Sequence, residues 1–175
     1  MITKKYYLCG EICNDYNKKS IGRMKNNTEL SVQIAEQRLR DLGMSITKTR
    51  VAILHYLMTN HIHPTVDRIF TDLSPQYPSL SRTTVYNTVK SFAESGLVTM
   101  LTIDDRQICV DGNTSPHGHL LCNRCGKIID VPIKGVSEIC EIDGHLVTEV
   151  QQYYKGVCKE CLKAQSEAEG QKNKL

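Results

Sequence analysis

The chain of 175 residues contains no tryptophan and only two phenylalanines, so its cores must be built from leucine, isoleucine, valine and tyrosine. No apolar run approaches the roughly 18 residues that a membrane-spanning helix needs, and no membrane association is expected. The first residues, MITKKYYLCGEIC, include only a very short apolar run, unlike a secretory signal peptide. The sequence therefore predicts a cytoplasmic protein.

A large excess of one charge is also missing, because 22 Lys and Arg residues stand against 19 Asp and Glu residues. The small basic excess lies near the N-terminus, so overall charge gives little support for a nucleic-acid partner. Residues 1–27 show no sustained hydrophobic period and are predicted to be a flexible tail, with Met24 as an alternative start. Any evidence for nucleic-acid binding must therefore come from motifs.

Eight cysteines in a cytoplasmic chain suggest metal binding rather than disulfides. Cys122 and Cys125 form one C-x2-C pair, and Cys158 and Cys161 form a second about thirty residues later. Four thiolates in two such pairs are the soft ligand set that tetrahedral structural zinc prefers. The spacing predicts a closed four-cysteine zinc site.

Harder ligands surround the first cysteine pair. Asp111, His117 and His119 precede it and Asp130 follows it. If residues 117–121 form a strand, His117 and His119 point to the same face, because side chains alternate with period two. One ion could then bind both rings, which indicates a second site with nitrogen and oxygen donors.

Hydrophobic periodicity predicts four helices and a hairpin between residues 28 and 110. Leu30, Ile34, Leu39 and Leu42 outline the first helix, which Gly43 ends. The other predicted elements are a helix from Thr47 to about Met58, a helix beginning at Thr65, a helix over Ser81–Ser95 that Gly96 ends, and strands at Leu97–Ile103 and Arg106–Val110. A helix-turn-helix followed by a hairpin is a winged helix, whose recognition helix here is Ser81–Ser95.

A recognition helix presents short polar and basic side chains to DNA. An ordinary solvated helix face has a similar composition, so the order of the elements carries the DNA-binding interpretation. Arg50, near the start of the second helix, is interpreted as a phosphate contact. The predicted DNA-facing side chains of the recognition helix are Ser81, Arg82, Thr83, Thr84, Tyr86, Asn87 and Lys90.

Residues 111–163 are predicted to form a small α/β domain, followed by a flexible tail over residues 164–175. Its predicted elements are strands at His119–Leu121, Lys127–Ile133 and Leu146–Tyr154 and a short helix at Val136–Ile142. Domains of this size often need a metal or a partner chain for stability, so zinc and a homodimer are both expected. The fold class is α+β: a winged-helix domain followed by a metal-binding dimerisation domain.

The order of winged helix, H-P-T, H-x-H, C-x2-C, C-G-K-I-I-D and C-x2-C resembles the ferric uptake regulator (Fur) family of metal-responsive repressors. The resemblance covers about residues 30–163, including S-R-T-T-V-Y-N-T-V and H-G-H-L-L-C-N-R-C-G-K-I-I-D. It implies a non-enzymatic homodimer that binds double-stranded palindromic operator DNA, with structural zinc and a regulatory Fe(II) or Mn(II). The regulatory ligands that it implies are His63, Asp111, His117, His119 and Asp130.

Within the family, Asp111 together with Asp130 resembles the peroxide-responsive repressors (PerR), whereas iron-uptake members commonly carry Glu in place of Asp111. The PerR resemblance implies release from DNA when peroxide oxidises His63 or His117 at the metal. An iron-responsive repressor of iron uptake is the alternative. Two other classes of protein are also considered. A metallohydrolase could use the H-x-H pair with two Asp, but this chain has no H-E-x-x-H motif and no glutamate near the cluster to act as a base. A zinc-ribbon interaction module would need only the cysteines and would leave the histidines unexplained.

Overall fold

A computed structural model describes residues 27–60, 62–133, 141–147 and 149–172. The tail predicted for residues 1–27 lies outside the described residues except for Asn27. The chain divides into two compact units between Ser115 and Pro116. None of the helices in these described ranges is both long enough and apolar enough to cross a membrane.

The described part of the first unit contains four helices and one antiparallel hairpin. Strand β1 pairs with β2 so that Thr99 lies opposite Asp111 and Leu101 opposite Cys109. This is the winged-helix order that the sequence predicts. The elements are α1 (Asn27–Asp41), α2 (Lys48–Thr59), α3 (Val66–Leu73), α4 (Arg82–Glu94), β1 (Thr99–Leu101) and β2 (Cys109–Asp111).

Hydroxyl side chains set the starts of three helices. Thr47, Thr65 and Ser81 each accept a hydrogen bond from the backbone N–H three residues ahead, which satisfies one of the unpaired donors of a first helical turn. Gly96 has a φ of 76° just after α4, a conformation that glycine adopts without the steric cost of a Cβ. The predicted ends of α4 are thereby confirmed.

The buried face of α1 differs from the predicted one. Leu30 and Leu42 are 49% and 44% exposed, whereas Ala35 and Leu39 are fully buried. Leu42 lies beyond the last helical residue, Asp41, so helical periodicity does not determine its direction. Assigning both leucines to the core stripe was therefore wrong.

The wing is shorter than the predicted strands Leu97–Ile103 and Arg106–Val110, because its tip is fixed by side chains instead of ladder bonds. Asp104 is buried, and its carboxylate accepts hydrogen bonds from the backbone N–H and guanidinium of Arg106 and from the side-chain Nε2 of Gln107. The bond from the Arg106 side chain is the main reason that the pKa of Asp104 falls to about 2.

The second unit is organised around strand β3. Strand β4 pairs with it in the antiparallel direction, placing His119 opposite Asp130, and strand β7 pairs with it in parallel. A separate hairpin and a C-terminal helix complete the described part. The elements are β3 (Gly118–Cys122), β4 (Ile128–Val131), β5 (Glu141–Ile142), β6 (His145–Leu146), β7 (Tyr153–Gly156) and α5 (Lys159–Lys172).

Two predictions for the second unit were wrong where the structure describes it. The end of the predicted helix Val136–Ile142 is strand β5; residues 134–140 lie outside the described residues. Of the described residues in the predicted strand Leu146–Tyr154, only Leu146, Tyr153 and Tyr154 lie in strands; residue 148 lies outside the described residues. The predicted tail over 164–175 is a separate case. It is helical as far as Lys172, because alanine, glutamate, glutamine and lysine favour a helix without an apolar stripe, and residues 173–175 lie outside the described residues.

The buried apolar side chains lie mostly in the first unit, where α1 to α4 and the wing share one core. In the described part of the second unit, the buried apolar residues are Leu121, Cys122 and Cys158. Two of these three are members of the C-x2-C pairs. The described part of the second unit therefore has little apolar core apart from its cysteine cluster.

Candidate metal centres and nucleic-acid interface

The structure brings the two C-x2-C pairs together. The sulfurs of Cys122 and Cys161 are 3.9 Å apart, and those of Cys125 and Cys158 are 3.8 Å apart. All four sulfurs lie within 4.8 Å of one another. A tetrahedral zinc with bonds of about 2.3 Å to sulfur separates its ligands by about 3.8 Å, so the cluster fits Zn²⁺ closely.

Two local structures position these sulfurs. Cys122 ends strand β3, and a tight turn brings the amide of Gly126, which has a φ of 72°, onto the Cys122 carbonyl. Cys158 lies just before α5, and its carbonyl accepts the first helical hydrogen bond, from Leu162. Cys161 then lies in the first turn of the helix. Strand end, turn and helix start thus build the site together.

The hydrogen bonds of the cluster shift the pKa values of two of its thiols in opposite directions. Backbone hydrogen bonds from Cys125 and then Cys158 lower the pKa of the Cys122 thiol to about 6. The pKa of Cys161 is raised to about 12, chiefly by its hydrogen bond with Cys158. Four thiolates so close together repel one another, and a dication offsets this repulsion.

In the first unit, the structure brings His63 and Asp111 together. The Nε2 atom of His63 lies 3.9 Å from Oδ1 of Asp111, and the two residues are only 6% and 5% exposed. The carbonyl of Pro64 accepts a hydrogen bond from the amide of Val110, and Thr65 forms a bridge with Cys109. The H-P-T segment therefore lies alongside β2, which carries Asp111.

His63 also has an unusual backbone. Its φ of 48° lies in the left-handed region, which is uncommon for a residue other than glycine. The following Pro64 restricts the conformation of His63 further. Such a conformation costs about 1–3 kcal/mol and persists where surrounding contacts enforce it, most often at functional sites.

In the second unit, His117, His119 and Asp130 form a compact group. The two imidazole rings have centroids 4.5 Å apart. Oδ1 of Asp130 lies 3.5 Å from Nε2 of His117 and 4.0 Å from Nε2 of His119. His119 also packs edge-on against Tyr153 of β7. Pairing of β3 with β4 places these imidazole and carboxylate donors side by side, a set that suits divalent iron or manganese.

Three of the predicted DNA-facing residues make hydrogen bonds within the protein. The Ser81 hydroxyl accepts a hydrogen bond from the backbone amide of Thr84 and is also hydrogen-bonded to the Thr84 hydroxyl. Both residues therefore form the helix cap. Arg82 donates to Asp67 over 2.6 Å, and its guanidinium lies 4.5 Å above the ring centre of Phe70. The remaining predicted DNA-facing residues, which are all exposed, are Thr83, Tyr86, Asn87 and Lys90.

Three partners of the predicted site residues were missed in the sequence. Asp67 holds Arg82 from fifteen residues away, and no local pattern indicates such a pair. Asn113 donates its amide to Oδ1 of Asp111 over 2.8 Å, and here the sequence Asp-Gly-Asn offered a signal, since Asp often accepts the amide two residues ahead. Arg50 is held at the start of α2 by the hydroxyl and carbonyl of Ser45.

Comparison with known proteins gives a consistent result. The family model of the ferric uptake regulator family matches residues 41–153. The peroxide-responsive repressor PerR of Staphylococcus aureus is 42% identical over 137 residues, covering 76% of this chain and 91% of that protein.

Solved structures show the same fold. The ferric uptake regulator of Francisella tularensis with iron is 25% identical, with a TM-score of 0.56 over 69% of this chain and 96% of that one. The ferric uptake regulator of Pseudomonas aeruginosa with manganese is 21% identical, with a TM-score of 0.59 over 72% of this chain and 98% of that one. At this identity the second likeness concerns the fold alone.

Proposed function

This chain belongs to the ferric uptake regulator family, and on that premise we propose that it is a dimeric repressor that binds palindromic operator DNA with Fe(II) or Mn(II) bound and releases it in response to peroxide. The observation that carries the proposal is the presence of two chemically different donor sets. One is the four-cysteine cluster, which fits zinc. The other consists of imidazoles and carboxylates.

We propose that the second set binds a single regulatory ion. His63 and Asp111 are the ligands from the first unit, and His117, His119 and Asp130 are those from the second. Nitrogen and oxygen donors suit Fe(II) and Mn(II) better than the thiolates do. An ion that needs ligands from both units favours only the arrangement of the units in which it is bound, and such differential binding is what a switch requires.

The peroxide-responsive function is supported by two observations. Asp111 and Asp130 supply the two carboxylates of the pattern that resembles the peroxide-responsive branch. The Staphylococcus aureus relative, which is 42% identical over 137 residues, is itself a peroxide-responsive repressor. An iron-responsive repressor remains the second candidate, favoured by the likeness to the Francisella tularensis regulator with iron. The two candidates share both metal sites and differ in the signal that releases DNA.

Metal-dependent DNA binding is the first test. Mn(II)-loaded protein is expected to retard a palindromic A/T-rich duplex in a gel, and protein stripped of the regulatory ion is expected to retard it weakly. His119→Ala is expected to bind like the stripped protein even with Mn(II), since a ligand is lost. The matched control is His145→Ala, because His145 is an exposed histidine of the β5–β6 hairpin. Equal retardation with and without Mn(II) would contradict the proposal.

The recognition helix gives a second test, which separates base contacts from phosphate contacts. Asn87→Ala is expected to reduce discrimination between operator and altered operator by about 1–3 kcal/mol, because a base contact is lost. Arg50→Ala is expected to weaken binding to all sequences alike. It is also expected to reduce the slope of log affinity against log salt concentration by about one, because one phosphate contact is lost. Affinities are measured by fluorescence anisotropy at several salt concentrations.

The control for both variants is Lys163→Ala, which removes an exposed charge from α5 in the other unit. It is expected to leave affinity, discrimination and salt dependence unchanged. A change of base preference in Arg50→Ala, or uniform weakening in Asn87→Ala, would show that the docking assignment is wrong.

A further inference from the structure

Gly112 directly follows Asp111 and approaches the backbone of α2 closely. A Cβ at this position would lie 2.3 Å from the carbonyl oxygen of Leu57 and 2.8 Å from its carbonyl carbon. Both are backbone atoms of a helix packed in the core, so a side-chain movement cannot relieve the overlap. The φ of Gly112 lies outside the left-handed region, so the close approach, not backbone flexibility, is what requires glycine here.

The same glycine lies inside a turn that directs the Asp111 carboxylate. The amide of Asn113 donates to Oδ1 of Asp111 over 2.8 Å, and the bond spans Gly112. That oxygen is the one that lies 3.9 Å from Nε2 of His63. The direction of the carboxylate is therefore linked to the position of the Gly112 backbone.

The other side of Asp111 is fixed by the wing. Asp111 is the last residue of β2 and pairs with Thr99 of β1. If a larger residue at position 112 pushed the chain away from Leu57, the ladder would hold the backbone before Asp111 in place. The displacement would have to be absorbed at Asp111 and in the turn, which would rotate its carboxylate away from His63.

We propose that Gly112 is a positioning residue for the regulatory metal: its contact with α2 fixes the turn that aims the Asp111 carboxylate. This inference rests on the proposed regulatory role of Asp111. Partners that orient a ligand typically change metal affinity by about 10- to 100-fold when they are altered. Gly112→Ala should therefore lower Mn(II) affinity by about that factor while the zinc of the four-cysteine cluster remains bound.

The test compares Gly112→Ala with wild type and with Gly156→Ala. A Cβ at Gly156 meets Leu120 at 3.5 Å, an ordinary contact, so this control makes the same substitution without overlap. Mn(II) affinity is measured by electron paramagnetic resonance titration, zinc by elemental analysis and folding by circular dichroism. The expected result is weaker Mn(II) binding in Gly112→Ala alone, with one zinc per chain in all three proteins.

A second variant covers the case in which Gly112→Ala does not fold. Asn113→Pro removes the amide that donates to Oδ1 of Asp111 without placing a Cβ at position 112, and it too is expected to bind Mn(II) more weakly. Failure of wild type to bind Mn(II) would overturn the proposed function together with this inference. Wild-type affinity in a folded Gly112→Ala or Asn113→Pro protein would overturn the positioning role alone.

Discussion

Cys122→Ser protein is expected to bind no zinc and to lose the folded second unit. The sulfur of Cys122 lies 3.9 Å from that of Cys161 and also accepts the amide of Cys158, so it joins the two halves of the cluster. A serine hydroxyl is a poor replacement for a soft thiolate ligand. The three remaining thiols then lose the zinc ion that they share, and the backbone amide of Cys158 loses the sulfur that accepts its hydrogen bond.

The expected effect is large because the described residues of this unit form little apolar core. Apart from two of the cysteines themselves, Leu121 is the one buried apolar side chain among its described residues. Structural zinc contributes about 10–16 kcal/mol to folding in zinc-finger peptides at neutral pH. A loss of that size is comparable to the whole stability of an ordinary domain, which is roughly 5–15 kcal/mol.

Zinc content, circular dichroism and size-exclusion chromatography measure the outcome. The control is Cys109→Ala, which removes a buried cysteine of the first unit and is expected to keep one zinc per chain. Cys158→Ser is expected to behave like Cys122→Ser. A folded, DNA-binding dimer obtained from either serine variant would contradict a structural role for this zinc.

Local chemistry made the winged helix predictable. The caps Thr47, Thr65 and Ser81 depend on a hydroxyl and the amides just ahead of it, so the sequence alone locates them. A missed local signal was Asp143-Gly144, where both residues have positive φ, as a two-residue hairpin turn requires. Recognising this pair would have indicated the β5–β6 hairpin.

Other features depend on contacts between distant residues and were not predictable. The contact of Gly112 with Leu57 and the pairing of Arg82 with Asp67 arise only when the helices pack. The exposure of Leu30 likewise depends on which face of α1 the rest of the core covers. For the site, the residue types indicated the chemistry, whereas the partners that orient them required the fold.

Peroxide is expected to abolish operator binding by the Fe(II)-loaded protein and to leave the Mn(II)-loaded protein bound. When bound, Fe(II) would activate hydrogen peroxide at the site, with the imidazole ring supplying the two electrons overall, whereas Mn(II), which prefers similar ligands, would not drive this chemistry. The net change is one oxygen atom from peroxide added to an imidazole ring, with release of water. Resemblance to the peroxide-responsive branch indicates His63 and His117 as the modified residues.

Either modification should weaken the regulatory site for a structural reason. His63 is held with a φ of 48° next to Asp111, and His117 lies 3.5 Å from the carboxylate of Asp130. An added oxygen withdraws ring electron density and adds bulk where these donors are tightly grouped. Loss of the ion then removes the preference for the DNA-binding arrangement, so the operator is released.

Cysteine oxidation is the competing explanation, since thiols are the more common redox switch. Coordination by zinc shields the four sulfurs of the cysteine cluster. Cys109 is buried, and burial followed by the nearby charge of Asp104 raises the pKa of its thiol, so little reactive thiolate is present. We therefore expect none of the described cysteines to be oxidised before the histidines.

Mass spectrometry after a brief peroxide pulse distinguishes these explanations, with operator binding measured on the same samples. One added oxygen on the peptide of His63 or His117 in the Fe(II) form is expected, and none in the Mn(II) form. The peptide carrying the exposed His145 is an internal control for indiscriminate oxidation. Unmodified histidines with oxidised cysteines and released zinc would contradict the histidine mechanism. Operator binding by the Fe(II) form that survives peroxide would instead assign the protein to the iron-responsive branch, because both branches require the metal and only one responds to the oxidant.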